Sequence, residues 1–358
     1  MIKQFLILSN MYPTEKTPSQ GVFVRNIEQS LLDSGIDVTR VVVAGRHNHV
    51  LAKLLHYMLY VVNAFFTLLF TKRVVYLHYV AHSSIPFLVA SFFRKIPMVA
   101  HVHGGDVMPA EYEPERVRKV KVWIARKALK KADKIIVPSH YFKGFLIDEF
   151  DVEAGCIEIN PSGGVNTQKF SNAEKTAPAF LQNKPLVLGY VGRLDSGKGV
   201  DTLIKSLKGL DKAFHCHFVG TGLYHHDFEA LAQENGIQDN VTFHGAVEQS
   251  ELPSKYASFD YLVFPSEMQE SLGLVGLEAM ACGTPVIGSM NAGMADYLSD
   301  QVNGFGFKSG DITSLTDCLV KAAEVNAKQY AAFSTAARET ALEFDAQKSN
   351  AHLLEILK

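Results

Sequence analysis

The sequence contains few of the residues that build disulfide frameworks or cysteine zinc sites. Its 358 residues include only four cysteines, with no Cys-x-x-Cys pair and no regular spacing between them. Isolated cysteines of this kind are typical of small buried side chains in a reducing compartment, so a disulfide scaffold and a cysteine zinc site are excluded as the basis of the fold. The four positions are Cys156, Cys216, Cys282 and Cys318.

Several motifs of nucleotide-binding and nucleic-acid-binding proteins are also missing. The chain has no Walker loop, no Gly-x-Gly-x-x-Gly fingerprint and no Asp-x-Asp pair that would hold a divalent metal ion. A net charge of −2, with no aromatic stacking platform beside the basic residues, argues against nucleic acid as a partner. The first apolar run is too short for a signal peptide, so we expect a cytoplasmic protein.

Apolar runs of strand length alternate with helical patterns along the whole chain. This alternation predicts an α/β fold with two doubly wound, parallel, Rossmann-like sheets. We predict an N-terminal domain at residues 1–175, a C-terminal domain at residues 176–335, and a C-terminal helix at residues 336–358 that could return to the N-terminal domain. The predicted strands are Phe5–Leu8, Val38–Val43, Val74–Leu77, Met98–His101, Lys134–Val137, Cys156–Ile159, Leu186–Tyr190, Cys216–Val219, Val241–Phe243, Tyr261–Phe264 and Pro285–Ile287.

Charge is divided unequally between the two halves. Residues 1–170 contain 21 Lys and Arg against 14 Asp and Glu, whereas the remainder of the chain is acidic. The basic excess is concentrated at residues 116–134, where cations flank an apolar seam. A solvated basic helix face and a surface attracted to anionic lipid head groups are equally open interpretations of this segment. A location at the inner face of the plasma membrane would follow from the second.

The segment Leu51–Phe70 is long and apolar enough to cross a membrane, although it contains Lys53, His56 and Asn63. Three interpretations of this segment are open: a core or interface helix, a helix lying in the plane of a membrane surface, and a true span. A span would interrupt the strand–helix alternation of the first domain, which makes it the least favoured of the three.

The stretch from Tyr261 to Ser289 predicts a strand, a polar loop, a helix and another strand. Glu270 lies in the loop and Glu278 inside the helix, whose free N–H groups suit a phosphate. An earlier glycine-rich turn, Gly192-Arg-Leu-Asp-Ser-Gly-Lys-Gly, contributes the cations Arg193 and Lys198. Cations on a glycine-rich turn beside a helix N-terminus indicate a diphosphate site, and carboxylates beside it suit sugar hydroxyls.

This turn, followed by Glu270 and Glu278 with seven residues between them, closely resembles the family 4 glycosyltransferases. The resemblance extends to Asn160-Pro-Ser-Gly-Gly-Val, Phe218-Val-Gly-Thr-Gly and Phe243-His-Gly-Ala-Val. It implies the GT-B fold, with two doubly wound domains facing a central cleft. It also implies a retaining, metal-independent hexosyltransferase-type enzyme without a cofactor, which transfers a sugar from a nucleoside-diphosphate-sugar donor to a glycan or lipid-linked acceptor. Cell-surface polysaccharide or glycolipid biosynthesis is the expected setting.

The resemblance also implies roles for individual residues of the second domain. Arg193 and Lys198 would bind the donor phosphates, Glu270 would contact the donor sugar and Glu278 the ribose. The backbone N–H groups of Gly273 and Leu274 would lie near the sugar or phosphate. Gly220 and the segment ending at Val247 would line the base pocket.

In the first domain, the loop with Gly21 would approach the donor diphosphate, and His103 would lie near the reacting centre with Asp106 towards the acceptor. His78, Tyr79 and His82, after the third strand, could line an acceptor cleft. Taken alone, His101, His103 and Asp106 could also be metal ligands, although no fourth ligand is evident and we predict no metal site. The family usually has a glutamate where this chain has Asp296, after a glycine pair that is here only Gly293.

Two alternative functions remain open from the sequence. One is another sugar-nucleotide enzyme of the same architecture, such as an epimerase. The other is a non-catalytic partner protein that retains the fold for binding, although intact Arg193, Lys198, Glu270 and Glu278 argue against it.

Overall fold

The fold is described from a computed structural model, which divides the chain into two compact units. It describes residues 4–17, 20–45, 49–108, 113–161, 163–171, 173, 175 and 177–358. Unit 1 comprises Met1–Gly163 and Ser349–Lys358, and unit 2 comprises Gly164–Lys348.

Unit 1 is built around a six-stranded sheet with the order β2-β1-β3-β4-β5-β6. All of its strand pairs are parallel. Its strands are β1 (Phe5–Tyr12), β2 (Val38–Ala44), β3 (Val74–His78), β4 (Met98–His101), β5 (Lys134–Val137) and β6 (Ile157–Ile159). Its helices are α1 (Val22–Asp33), α2 (Val50–Phe70), α3 (Val80–Ser83), α4 (Ile85–Ala90), α5 (Glu115–Leu129) and α6 (His140–Phe150).

Alternation along the strands places apolar side chains on both faces of this sheet. In β1, Leu6 and Leu8 belong to one buried cluster, whereas Phe5 and Ile7 belong to the cluster on the other side. Parallel strands need crossover connections, and helices in those connections cover both faces. The carboxyl ends of β1, β3 and β4 therefore lie at one edge of the sheet, where open α/β folds place their ligands.

Unit 2 repeats this plan with the strand order β12-β11-β10-β7-β8-β9, again entirely parallel. Its strands are β7 (Leu186–Val191), β8 (Phe214–Val219), β9 (Val241–Gly245), β10 (Tyr261–Phe264), β11 (Val286–Ser289) and β12 (Gly304–Phe307). The helices that follow in the chain are α7 (Val200–Leu207), α8 (His225–Glu234), α9 (Leu252–Ser258), α10 (Leu274–Ala281), α11 (Ile312–Glu324), α12 (Ala327–Glu343) and α13 (Ala346–Leu357).

The boundary between the units differs from the predicted one. Residues 164–175 belong to unit 2, because Val165 and Phe170 are buried in one of its cores and Lys175 donates a hydrogen bond to Thr284 Oγ1 at 2.9 Å. The sequence predicts a later linker at Thr176–Pro185, because this segment contains two prolines. Within α13 the chain returns to unit 1, where Leu353 and Ile356 are buried against the sheet.

Candidate active site

The glycine-rich turn of unit 2 connects β7 to α7 and positions Lys198. Gly199 is the N-cap of α7 and has a left-handed backbone with φ of 68°. A Cβ atom at this position would lie 1.9 Å from the carbonyl oxygen of Pro265, at the end of β10. Only glycine therefore allows the turn to pack so closely on the loop after β10.

Lys198 and Glu270 are brought together by this packing, although 72 residues separate them. Lys198 Nζ lies 2.7 Å from Glu270 Oε1, and both side chains are largely shielded from solvent. The Ser266 hydroxyl donates a second hydrogen bond, also of 2.7 Å, to the same carboxylate oxygen. A cation held in this way is available to an incoming anion once the carboxylate turns to another donor, such as a sugar hydroxyl.

Arg193 is not joined to that pair. Its guanidinium is 2.6 Å from Asp195 Oδ2, and 70% of its side chain is exposed. The backbone is fixed more firmly, because the Tyr190 hydroxyl donates a hydrogen bond to the Arg193 carbonyl at 2.8 Å. Of the two predicted cations, Lys198 is therefore held in place by Glu270, whereas Arg193 lies at the surface.

Helix α10 begins beside the Lys198–Glu270 pair. Gly273 is its N-cap with φ of 80°, and Leu274 is its first residue, in agreement with the helix start expected from the sequence. The backbone N–H of Gly293 donates to the Glu270 carbonyl at 3.1 Å. A Cβ atom on Gly293 would lie 2.3 Å from the Ser271 carbonyl oxygen, so the single glycine of this chain is enough to let the two loops meet.

Glu278 has a different partner from Glu270. The Tyr256 hydroxyl donates a hydrogen bond to Glu278 Oε2 at 2.8 Å. Burial raises the pKa of this carboxyl group, and the Tyr256 hydrogen bond and nearby Lys169 partly oppose that effect. The two glutamates therefore have different hydrogen-bond partners, Lys198 and Ser266 for Glu270 and Tyr256 for Glu278.

Gly220 and Val247 lie where strands β7, β8 and β9 end. The Gly220 N–H donates to the Gly245 carbonyl at 2.8 Å. A Cβ atom on Gly220 would be 1.9 Å from the carbonyl oxygen of Gly192. Val247 is half-buried against the apolar cluster of unit 2 that includes Val191 and Val219. The predicted base-pocket residues therefore share one strand-end edge with the Lys198 turn.

In unit 1, three histidines stack at the carboxyl ends of β3 and β4. His101 and His103 have ring centroids 4.4 Å apart and an interplanar angle of 20°. His78 Nδ1 and His103 Nε2 are 3.1 Å apart, within hydrogen-bonding distance. The Tyr76 hydroxyl lies 2.8 Å from His101 Nδ1 and holds the base of the stack.

All three imidazoles are held in the neutral form. Burial lowers the pKa of His101 to about 3 and holds the pKa values of His78 and His103 well below the ordinary range. Neutral rings can stack without charge repulsion, so the site offers hydrogen-bonding and apolar contacts at physiological pH instead of positive charge.

Among the described residues, His78, His101 and His103 form a group that could hold a metal ion. One nitrogen from each ring lies within 4.8 Å of the other two. The Nε2 atoms of His78 and His101 are buried without a hydrogen-bond partner in the described part of the chain. The candidate set from the sequence, His101, His103 and Asp106, therefore differs from the observed one, in which His78 replaces Asp106.

Asp106 is buried and binds backbone instead of facing outwards. Its two carboxylate oxygens accept hydrogen bonds from the N–H groups of Val80 and His103, each at 3.0 Å. Burial raises the pKa of Asp106 to about 6. The residue expected on the acceptor side thus fastens the His103 loop to the start of α3.

The rings of Tyr79 and Phe23 surround His103. Tyr79 has a left-handed backbone and a ring centroid 5.1 Å from that of His103, and the Phe23 centroid is 4.2 Å from it. Phe23 follows Gly21, where a Cβ atom would lie 2.8 Å from the Met11 carbonyl. Sequence reasoning missed Phe23 because an aromatic residue in the first turn of a helix is usually core.

His82 does not join this group of rings. Its backbone carbonyl accepts a hydrogen bond from the Tyr57 hydroxyl of α2. Burial lowers the pKa of its ring, and Lys121 and Lys53 add to that effect. The predicted acceptor-side residues are therefore divided, with Tyr79 at His103 and His82 between α2 and α5.

Two parallel doubly wound units with polar side chains at their strand ends define the GT-B class of glycosyltransferase fold. Solved structures agree: a sucrose-phosphate synthase from Thermosynechococcus elongatus has a TM-score of 0.79, with 20% identity over 99% of this chain and 98% of that one. Family models match residues 20–169, as Glycosyltransferase Family 4, and residues 172–340, as Glycosyl transferases group 1. The chain belongs to the family 4 glycosyltransferases.

Two curated relatives illustrate the range of similar proteins. A D-inositol 3-phosphate glycosyltransferase of Mycolicibacterium smegmatis is 30% identical over 234 residues, which is 63% of this chain and 52% of that protein. An uncharacterized 41.2 kDa protein in the cps region of Klebsiella pneumoniae is 28% identical over 204 residues, which is 56% of this chain and 55% of that protein. The chain thus spans about half the length of the curated relatives it matches.

Proposed function

We propose that this glycosyltransferase is a retaining, metal-independent enzyme that moves a hexose from a nucleoside-diphosphate sugar to a hydroxyl of a glycan or lipid-linked acceptor. The observation that carries the proposal is the contact of Lys198 with Glu270 beside the N-terminus of α10. A cation, a hydroxyl-seeking carboxylate and free backbone N–H groups in one place match a sugar diphosphate.

In the proposed donor complex, Lys198 exchanges Glu270 for the diphosphate, and Glu270 accepts hydrogen bonds from the sugar hydroxyls. Glu278, held by Tyr256 at 2.8 Å, accepts from the ribose hydroxyls. The N–H groups of Gly273 and Leu274 face the sugar or phosphate, and Gly220 and Val247 line the base. Arg193, whose side chain is mostly exposed, needs only to leave Asp195 to join Lys198 at the phosphates.

The catalytic step relies on charge stabilisation. As the bond from the anomeric carbon to the phosphate oxygen breaks, Lys198 and Arg193 stabilise the negative charge on the departing diphosphate, the task that a metal ion at an Asp-x-Asp pair performs elsewhere. The departing phosphate oxygen accepts the proton of the attacking hydroxyl. Attack on the face from which the phosphate leaves preserves the anomeric configuration.

Unit 1 contributes His103 and the rings around it. A neutral imidazole flanked by the tilted rings of Tyr79 and Phe23 offers apolar contacts and one polar edge, which suit the faces and hydroxyls of a sugar. Gly21 allows the loop after β1 to pack closely on the Met11 backbone. Asp106 fixes the His103 backbone and acts as a positioning residue.

The proposed setting is cell-surface polysaccharide or glycolipid synthesis in the cytoplasm, at the inner face of the plasma membrane. The similarity to a protein of a cps region supports a polysaccharide setting. The basic helix α5, with six Lys and Arg against one Glu, suits a surface of anionic lipid and supports a lipid-linked acceptor.

The proposal is tested by thermal denaturation in the presence of UDP-, GDP- and ADP-sugars. A donor that binds only the folded state raises the melting temperature. At a concentration one hundred times its dissociation constant, it adds about 2.7 kcal/mol to the free energy of unfolding. We expect one nucleotide series to stabilise the protein and the Glu278→Ala variant to be stabilised less by the same donor. Stabilisation with no transfer, but with epimerised free sugar, would favour an epimerase, and no stabilisation by any of the series would contradict the proposal.

A further inference from the structure

Unit 1 exposes a long apolar face on helix α2. The exposed side chains follow helical spacing along the whole helix, and Leu51 at its start is 81% exposed. An ordinary surface helix places polar residues on its outer side, so an outer side of leucine, methionine and phenylalanine marks a contact surface. The exposed residues are Leu51, Leu54, Leu55, Met58, Leu59, Val62, Phe66 and Phe70.

The opposite side of α2 is already used by the fold. Tyr60, Ala64 and Leu68 are buried in the core beneath the helix. The Tyr60 hydroxyl donates a hydrogen bond of 3.0 Å to the Ser83 carbonyl. Helix α2 is long and apolar enough to cross a membrane, with a mean hydropathy of 1.4 over Leu51–Phe70. Because one side packs on the core of unit 1 from Tyr57 to Leu69, lipid can reach only the other side of this part of the helix, as for a helix lying in an interface.

Two phenylalanines extend this face beyond the end of α2. Phe92, which is 82% exposed, and Phe93 lie in the turn after α4. The ring centroids of Phe65 and Phe93 are 6.0 Å apart, which joins the turn to α2. Lys131 Nζ lies 6.0 Å from the Phe92 ring centroid, so a cation borders the apolar surface directly.

Helix α5 packs against α4 and supplies the basic border. It combines six Lys and Arg and a single Glu with the exposed apolar residues Val117, Val120 and Trp123. Positive charge beside exposed apolar side chains complements a bilayer that contains anionic lipid. A second copy docked symmetrically through this face would instead bring two basic helices towards each other.

We propose that the outer face of α2, together with Phe92 and Phe93, inserts into one leaflet of an anionic membrane while α5 holds the lipid head groups. This surface goes beyond the proposed glycosyl transfer and stands without it, because no donor or acceptor takes part. It assigns the in-plane interpretation to α2.

Vesicle binding tests the surface with a built-in reporter. Trp123 is the single tryptophan and is 60% exposed on α5, so its emission should shift to the blue when the helix meets lipid. The full-length protein is mixed with vesicles of phosphatidylcholine alone or with added phosphatidylglycerol, and sedimented. We expect binding to the anionic vesicles only, and partial release at 1 M salt, where the Debye length falls to about 3 Å.

Matched substitutions distinguish insertion of the α2 face from nonspecific binding of exposed apolar side chains to vesicles. The triple variant Leu54→Gln, Met58→Gln and Phe66→Gln should lower the partition coefficient at least tenfold, with an unchanged circular dichroism spectrum because all three side chains are exposed. Leu223→Gln in unit 2, at a leucine that is 91% exposed, is the control and should bind like the wild type.

Three results would overturn the proposal. The first is sedimentation of the triple variant with anionic vesicles to the same extent as the wild type. The second is a wild type that stays unbound with an unshifted Trp123 emission. The third is conversion of a dimer to a monomer by the substitutions without any effect on vesicle binding, in which case the face joins two copies of the chain. Each is measured without a sugar nucleotide, so failure of the proposed reaction would be seen separately.

Discussion

The two units present opposite chemistry at equivalent edges of equivalent sheets. In unit 2 the side chains at the strand ends are charged and matched to one another, with Lys198 on Glu270 and Arg193 on Asp195. In unit 1 they are neutral, because burial keeps His78, His101 and His103 unprotonated. A fold shared by both units thus supports a charged site in one and an uncharged aromatic site in the other, and the side chains at the strand ends make the difference.

The largest effect on activity is expected when the Lys198 cation of unit 2 is removed. Lys198→Ala should lower kcat/KM about 10²- to 10³-fold, because one preorganised charge at the departing diphosphate is lost. Lys205→Ala is the control, since Lys205 lies on α7, pairs with Asp201 at 3.3 Å and should matter less than twofold. Steady-state release of nucleoside diphosphate measures both. Equal turnover of the two variants would remove Lys198 from the mechanism.

The second glutamate should affect donor binding more than turnover. Glu278→Ala should raise the donor KM about 30-fold, the equivalent of about 2 kcal/mol for hydrogen bonds to a charged group. Tyr256→Phe is the matched control, because it removes the hydroxyl that holds Glu278 but leaves the carboxylate. It should raise the KM only a few-fold. If both variants kept the wild-type KM, Glu278 would not contact the donor.

The histidines of unit 1 should make that unit sensitive to acid. The folded-state pKa of His101 is about 3, well below that of an exposed imidazole, so its neutral form stabilises the fold fully above about pH 6.5. Stability is lost as pH falls, because the unfolded state takes up the proton first. From pH 7 to 5 this single residue should remove about 2 kcal/mol from the free energy of unfolding.

A double substitution isolates that contribution. Tyr76→Phe with His101→Phe removes the titrating ring without leaving a buried hydroxyl unpaired, and it should lose about 2 kcal/mol less than Tyr76→Phe alone over the same interval. Chemical denaturation at pH 7 and pH 5 measures the difference. Equal losses in the two variants would mean that His101 titrates normally. Asp106, whose pKa is raised, acts in the opposite direction and is present in both.

The smallest predicted effect concerns the support of His103. His78→Phe keeps the stacked ring but removes the contact of 3.1 Å to His103 Nε2, so we expect a fall in kcat of about tenfold, the equivalent of one neutral hydrogen bond. Donor binding should be unchanged, because the residues proposed to hold the diphosphate, ribose and base all lie in unit 2. Comparison of kcat with the donor dissociation constant checks this, and a change in affinity alone would assign His78 a different role.

Much of this fold was predictable because its signals are local. Runs such as Tyr261–Phe264 are entirely buried as strands, and helix α10 follows the polar loop as predicted. Strand β12 was missed because Gly304-Phe-Gly-Phe lacks the β-branched residues that mark a strand. The domain boundary was displaced because proline marks a bend in the chain but does not identify the core to which a segment belongs.

The contacts between residues within each candidate site were harder to predict from the sequence. Family resemblance identified Lys198 and Glu270 one by one, but their direct contact depends on the packing of two loops far apart in sequence. The orientation of Asp106 was equally hard to predict, because a carboxylate in a loop has the same sequence signal whether it faces solvent or binds backbone N–H groups. Burial decides between those outcomes, and burial is a property of the assembled unit.

Titration with nucleoside diphosphates lacking the sugar tests the central claim most directly. UDP, GDP and ADP are titrated into the wild type, Lys198→Ala and Glu270→Gln, and the dissociation constants are compared. If Lys198 exchanges Glu270 for the diphosphate, Lys198→Ala should weaken binding at least tenfold, whereas Glu270→Gln should strengthen it because the competing carboxylate is gone. Equal affinities in all three proteins would contradict the account.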